Sequence, residues 1–506
     1  MTQSQTAPVF NYASLDSPVV YHQGRAISLG QLLQTVDFLA EKIPEHQHLL
    51  NLYEERYYFL LGFLLALKQH SISLFPSTIT AHVLAQLKEN YADILILADS
   101  DTIAAGFNQC DLKALINASD LHNQTASQSS SGQSGRQAAK TDFSAIARHR
   151  QVAIIFTSGS TGQPKPYTKQ WGDLVAVADY LAEVFLSDSP ATDSSAAKKS
   201  ILNKAEISAL IATVPAQHMY GLEASIMMAL QNGLLIHSDK PFFPQDITHC
   251  LEELQQFARY SNQSISTTLI STPLHLKACI KTAVNLPGVK QFISATAPLE
   301  RELAQSCETT YSARMMEIFG CTEVGSMAWR KTTESEQWTV LNDISLQAIK
   351  HAEKEEVQIN TTRSIRHFLF NDFVDLLDKQ HFLLKGRKED LINQAGNRTS
   401  LSYLNHHLQS YNGLTDGCFY QDNSIPENRL VAFVVLARPM SNERPISERL
   451  QTEHQKKHAI RDYLKNRIEA VFLPKKIYFV AALPRNATGK LPLARLKDLL
   501  LQQDTQ

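Results

Sequence analysis

Nowhere in the 506 residues do the cysteines form a C-x-x-C pair; the six stand far apart at 110, 250, 279, 307, 321 and 418. Structural zinc sites and dithiol redox couples use close pairs, so neither is indicated, and unpatterned thiols suit a reducing compartment. Long apolar runs are lacking too. The most apolar stretch, Tyr57–Leu67 (YYFLLGFLLAL), has eleven residues where a membrane-crossing helix takes about 20. With Glu54, Glu55, Arg56 and Lys68 at its ends it reads as a buried helix, and no transmembrane segment is expected. The opening MTQSQTAPVFNYASLD has neither the positive start nor the apolar stretch of a signal peptide, so the expected location is cytoplasmic. Nor is there an excess of one charge: 48 Lys and Arg against 50 Asp and Glu leave a formal net charge of −2, which excludes a wholly basic nucleic-acid binder. What is present is a 43% apolar chain of a length that suits about two to four domains, each with a real core.

The patterning is that of an α/β protein. Leu29, Leu32, Leu33, Val36, Leu39 and Ile43 recur at helical spacing, and Ser28 with Gln31 forms a potential capping box. Short apolar runs at 94–97, 152–156, 210–214, 234–237, 268–270 and 291–294 alternate with helical patterns such as 171–186 and 222–230. Strands separated by helices predict mostly parallel sheets. Two stretches, 123–140 (NQTASQSSSGQSGRQAAK) and 187–199, have almost no large apolar side chains and read as flexible surface insertions. Charge is unevenly placed: Arg438–Lys497 holds 14 Lys and Arg against 5 Asp and Glu, so the C-terminal region is basic and the rest acidic. A basic region suits an anionic partner, and equally a solvated helix around 456–465.

The most informative segment is Thr157-Ser158-Gly159-Ser160-Thr161-Gly162-Gln163-Pro164-Lys165, directly after the strand pattern VAIIF. Glycines permit close backbone approach, and hydroxyls, successive N–H groups and a lysine can surround a polyphosphate. The string fits neither G-x-x-x-x-G-K-[ST] nor G-x-G-x-x-G, so neither a P-loop NTPase nor a dinucleotide site is indicated. Taken whole, it resembles the phosphate loop of the acyl-adenylate-forming enzymes, which include acyl- and aryl-CoA synthetases, peptide-synthetase adenylation domains and beetle luciferases.

Further segments follow in the family's order. Ile318-Phe319-Gly320-Cys321-Thr322-Glu323 is similar to Y-G-x-T-E, with Phe319 for tyrosine. The resemblance implies that the Phe319–Gly320 step stacks on adenine, Thr322 meets the α-phosphate and Glu323 holds Mg²⁺. Asp372 stands 14 positions before Gly386-Arg387, the family spacing of an aspartate and an arginine that bind ribose, although the preceding residues read Phe370-Asn371 where T-G is usual. In Gly386–Arg398 the hinge pivot falls on Glu389. Leu483-Pro-Arg-Asn-Ala-Thr-Gly-Lys490 resembles the C-terminal lysine loop and makes Lys490 the catalytic lysine. Pro215-x-x-His218-x-x-Gly221 is similar to a segment beside the acyl pocket, and Ser294–Leu299, with Ala297, to the turn beside adenine.

Together these matches imply an α/β fold with a large N-terminal domain of mostly parallel sheets flanked by helices and a small mobile C-terminal α+β domain joined by a hinge. The expected division is 1–388 for ATP and acid and 389–506 for the lysine cap. The implied activity is ATP-dependent ligation of a carboxylic acid, aromatic or fatty, through an acyl-adenylate to a thiol. ATP and Mg²⁺ are the implied cofactors, and coenzyme A or the phosphopantetheine of an acyl carrier protein the acceptor. In wording, LINQAGNRTSLSYLN and LPRNATGKLPLARL are similar to ligases of aryl polyene and xanthomonadin pigment pathways. Two alternatives stay open at this point: a non-catalytic adenylate-binding relative, and luciferase-like oxidation of the adenylate.

Overall fold

The computed structural model describes residues 4–76, 79–99, 106–119, 143, 145–157, 165–186, 206–351, 354–363, 367–370, 372–387, 391–394, 397–422, 429–437, 446–485 and 491–504. Two compact units divide the chain. The first comprises Met1–Ser335, Val340–Ile344 and Thr361–Ile365, and the second Glu336–Thr339, Ser345–Asn360 and Arg366–Gln506.

The first unit is built on two sheets. In one, Lys165–Gln170, Gln151–Thr157, Ile72–Phe75, His48–Asn51, Ile94–Leu97 and Asn108–Cys110 lie in that order. The Lys165–Gln170 strand is antiparallel to its neighbour and the remaining pairings are parallel. In the other, Arg314–Cys321, Val289–Ser294, Ser264–Ser271, Glu206–Ala212, Leu235–His237 and Pro18–His22 run side by side, all parallel. Antiparallel strands flank this group, Gly325–Arg330 against the first and Arg25–Ser28 against the last. Val, Ile and Leu dominate these strands because parallel sheets are covered on both faces.

The capping box of Ser28 and Gln31 forms and starts the Leu29–Lys42 helix, whose Leu32, Val36 and Leu39 are fully buried. The Tyr57–Leu67 run becomes the Arg56–Lys68 helix, buried on every side. Arg56, expected as a charged flank, is itself buried: it donates to the carbonyls of Val214 (2.5 Å) and Asp239 (3.0 Å). Desolvation pulls its guanidinium down to about 10. Among the described residues no helix is long and apolar enough to cross a membrane.

Two expected elements differ in detail. The 210–214 strand is displaced to Glu206–Ala212, leaving Thr213 and Val214 to begin the loop toward His218. The 222–230 helix is divided into a π-helical turn, Leu222–Met227, and an α-helix, Met228–Asn232. A π turn fits one more residue into each turn and is common at functional sites; here it includes Glu223, a buried carboxylate. The spans 123–140 and 187–199 lie outside the described residues.

In the second unit, Leu414–Asp422, Arg429–Leu436 and Lys476–Phe479 form a three-stranded sheet. Alternation sorts its side chains. Phe419, Leu430, Ala432 and Val434 pack with Leu404, Leu408, Ile460 and Leu464 of the Leu401–Gln409 and Ile446–Lys465 helices. Cys418, Tyr420, Val431 and Phe433 pack with Leu496 and Leu500 of the Leu493–Asp504 helix. The basic 456–465 stretch lies on a helix held to the sheet by Ile460 and Leu464.

Candidate functional site

The strands Glu206–Ala212, Ser264–Ser271, Val289–Ser294 and Arg314–Cys321 are adjacent and parallel, so their C-terminal ends share one edge. Open α/β sheets bind ligands along such edges. The chain leaving the first strand reaches His218, half-buried and the N-cap of a short helical turn. Gly221 is required there, because a Cβ would lie 2.0 Å from the Pro215 carbonyl oxygen. Tyr220 ties this segment to its neighbours, its hydroxyl donating to the carbonyls of Ile293 (2.7 Å) and Ser271 (3.3 Å). The His218 segment and the start of the 294–299 turn are thereby held together.

That turn departs from ordinary backbone. Thr296 adopts φ +78, unusual for a β-branched residue and a form of strain that clusters at ligand sites. Ala297 is exposed, while Leu299 N–H donates to the Glu317 carboxylate (3.1 Å), which also binds Arg330 (2.7 Å) and Thr332 (2.8 Å). The buried hydroxyls of Ser294 and Thr296 have no hydrogen-bond partner among the described residues. Buried polar atoms rarely stay unpaired, so these two fit a site completed by a polar ligand.

At the end of the Arg314–Cys321 strand, Phe319 is half-buried and Gly320 exposed, and the chain turns through Thr322 and Glu323 into the next strand. Three groups hold this turn. Lys169 Nζ donates to the carbonyls of Thr322 (2.6 Å) and Glu323 (3.1 Å). Nearby, burial and the Glu323 carboxylate push the Tyr167 phenol up to about 12. Glu223 accepts from the N–H (2.8 Å) and hydroxyl (2.7 Å) of Ser326. Arg363 donates to the carbonyls of Val324 and Ser326 (3.3 Å each) and pairs with Asp343 at 2.5 Å. Gly325, at φ +93, permits the approach: a Cβ there would lie 2.3 Å from Glu223 Oε1. Burial lowers the Lys169 ammonium from its usual value and raises the Glu223 carboxyl. None of these supporting residues was singled out from sequence. The available signal was the two-residue period from Lys165 through Tyr167 to Lys169.

The remaining candidates are placed in part. Thr157 and Lys165 are paired across antiparallel strands at the two ends of the phosphate segment; Ser158, Gly159, Ser160, Thr161 and Gly162 lie outside the described residues. Asp372 and Arg387 are direct backbone partners in the hairpin of Asp372–Leu376 and His381–Arg387. Their separation is therefore the register of a hairpin, with Phe373 opposite Gly386. Glu389 and Lys490 lie outside the described residues. Immediately before the lysine segment, Arg485 makes a two-pronged ion pair with Asp416, at 2.7 and 2.6 Å.

A family model described as AMP-binding enzyme matches residues 69–353, more than half of the chain, and one described as AMP-binding enzyme C-terminal domain matches 419–490. This chain belongs to the AMP-binding enzyme family. Among curated relatives of this AMP-binding enzyme, the 4-coumarate–CoA ligase of Cereibacter sphaeroides is 22% identical over 341 residues, 66% of this chain and 69% of the relative. The 2-succinylbenzoate–CoA ligase of Listeria monocytogenes is 23% identical over 396 residues, 71% of this chain and 74% of the relative. Among solved structures, the Bacillus subtilis O-succinylbenzoate coenzyme A synthetase with AMP superposes at TM-score 0.71, with 15% identity and 96% of each chain covered. The anthranilate CoA ligase AuaEII with anthranoyl-AMP superposes at 0.72, with 12% identity and 99% of each covered. These likenesses establish the fold expected from sequence, a large N-terminal α/β domain and a small C-terminal one.

Proposed function

We propose that this AMP-binding enzyme joins an aromatic carboxylic acid to a thiol at the expense of ATP. A carboxylate oxygen attacks the α-phosphorus, the bond to pyrophosphate breaks, and an acyl-adenylate forms. The thiol sulfur then attacks the acyl carbon, gives up its proton and displaces AMP. No side chain need bond covalently to substrate, so the work of the protein is positioning and charge stabilisation.

The observation that carries this reading is the direct attachment of the Thr322–Glu323 turn to the strand that leaves the Ser/Thr/Gly segment. A carboxylate at a strand end is thereby linked to a segment suited to phosphates. Thr157, Ser158, Gly159, Ser160, Thr161, Gly162 and Lys165 are assigned to the β- and γ-phosphates, and Thr322 to the α-phosphate. Phe319 and Gly320, with the Ala297 turn, are assigned to adenine, Asp372 and Arg387 to ribose, His218 to the acyl pocket. Lys490 is assigned to the reacting oxygens and Glu389 to the pivot of a 389–506 cap. A hard cation takes oxygen ligands, so the Glu323 carboxylate fits Mg²⁺. When bound, that ion neutralises charge on the phosphate oxygens.

Aromatic acids are favoured because the relatives are named for 4-coumarate and 2-succinylbenzoate and one structural neighbour holds anthranoyl-AMP. The acceptor is a phosphopantetheine thiol, free in coenzyme A or borne by a carrier protein, and the basic C-terminal region suits the anionic character of both. Acid-dependent ATP–pyrophosphate exchange, screened over aryl and fatty acids, tests the reading. Exchange with benzoate- or cinnamate-type acids supports it, and silence across the whole screen would leave a binding protein. AMP release with coenzyme A or with a phosphopantetheinylated carrier then identifies the acceptor.

A further inference from the structure

The Lys165–Gln170 strand begins where the phosphate segment ends. Residues two apart on a strand face the same side, which sets Lys165, Tyr167 and Lys169 in one row. Lys169 reaches the Thr322–Glu323 turn through two main-chain carbonyls, and Tyr167, two residues before it on the same face, is near enough to feel the Glu323 carboxylate. Lys169 is 4% exposed, and a buried ammonium is harder to accommodate than an apolar side chain of the same length. Glu223 and Asp173 lie close enough to act on its charge, but its hydrogen bonds go to the turn. In a trans peptide the C=O and the following N–H point in opposite directions. Drawing the Thr322 carbonyl toward Lys169 therefore aims the Glu323 N–H away from it.

We propose that Tyr167 and Lys169 are positioning residues that hold the Thr322–Glu323 turn in register with the phosphate segment. The proposal rests on the reading of Glu323 as the metal-holding carboxylate. Lys169 fixes the backbone of the turn, and Tyr167, beside the Glu323 carboxylate, is placed to orient it. Neither residue touches the reacting atoms.

The test uses Lys169→Met, which keeps length and loses the donor, Tyr167→Phe, and Glu323→Gln as a control, each in the full chain. Amide hydrogen exchange across 319–330 reports the turn directly, and Lys169→Met should speed it at 322–326 by about tenfold or more. The Mg²⁺ concentration for half-maximal pyrophosphate exchange should rise about tenfold in Lys169→Met and about threefold in Tyr167→Phe. Adenylation should fall about 100-fold in Lys169→Met while transfer from a supplied acyl-adenylate to thiol stays within about threefold of wild type. Unchanged amide exchange would overturn the proposal whatever the activity does. So would equal loss of both half-reactions, which marks a merely structural residue. Should Lys169→Met fail to fold, Lys169→Gln, a shorter neutral donor, is judged by the same amides. If Glu323→Gln leaves the Mg²⁺ requirement unchanged, the metal reading fails instead, and amide exchange still decides the clamp.

Discussion

The Thr322–Glu323 turn and the Arg485–Asp416 pair, which precedes the proposed lysine loop in sequence, are held in different ways. The turn is gripped by Lys169, Glu223 and Arg363, and of these Lys169 and Glu223 are 4% and 1% exposed. Arg485, five residues before Lys490, pairs with Asp416, each about a quarter exposed at 24% and 23%. A buried, many-point clamp fixes geometry, because removing any one member leaves a desolvated partner. The Arg485–Asp416 pair, about a quarter exposed, meets more solvent than the clamp and gives way at less cost. A buried clamp suits a carboxylate proposed to hold a metal in one place.

The largest expected effect tests the proposed catalytic lysine. Lys490→Ala should lower acid-dependent pyrophosphate exchange by about 10²–10³-fold. Transfer from a supplied acyl-adenylate to thiol should continue. Loss of both steps would mean that Lys490 is as fixed in role as the turn, and the comparison would fail.

A smaller effect belongs to the tether. Arg485→Ala should reduce pyrophosphate exchange about tenfold, the equivalent of about 1.4 kcal/mol, through misplacement of the segment after it. The charge-swapped pair Arg485→Asp with Asp416→Arg should recover much of that loss in a double-mutant cycle. No recovery would show that the pair has no part in placing the lysine.

The α/β fold and the strand-end position of the candidate turn were legible in sequence for a physical reason: short polar strings stand out against the apolar runs of buried strands. The spacing of Asp372 and Arg387 proved to be hairpin register. The capping box at Ser28 and the buried 57–67 helix also formed as expected. The support beneath the turn was not legible, because its members come from four distant places, 167–169, 223, 343 and 363, and only folding brings them together. Arg56 misled for the converse reason. A charge at the end of an apolar run reads as a solvated flank unless one knows that the Val214 and Asp239 carbonyls await it.

Adenine recognition should be weaker still in its dependence on any one group. Phe319→Ala removes the stacking face and should raise the KM for ATP about three- to tenfold, the range of about 0.5–1.5 kcal/mol for an aromatic contact. Phe319→Tyr, which restores the hydroxyl common in the family, should change it less than about twofold. A large effect of the tyrosine would place this ring elsewhere than on the base.

The smallest effect compares the clamp with a buried polar group in the same unit that is incompletely paired. His275 is 8% exposed; Nδ1 meets the hydroxyls of Thr272 (2.9 Å) and Thr213 (3.3 Å), while buried Nε2 has no partner among the described residues. Burial, with Lys240 nearby, pulls its pKa from 6.5 to about 4. Between those values the unfolded chain binds a proton that the folded chain refuses. The stabilising contribution is therefore complete above pH 6.5 and is lost progressively as pH falls toward 4. Across one unit, from pH 6 to pH 5, wild type should lose about 1 kcal/mol relative to His275→Gln, which cannot titrate. Urea midpoints of the two proteins at both pH values measure the difference. Parallel pH responses would show that His275 finds a proton acceptor on Nε2, and that this strand end is as fully satisfied as the turn beside it.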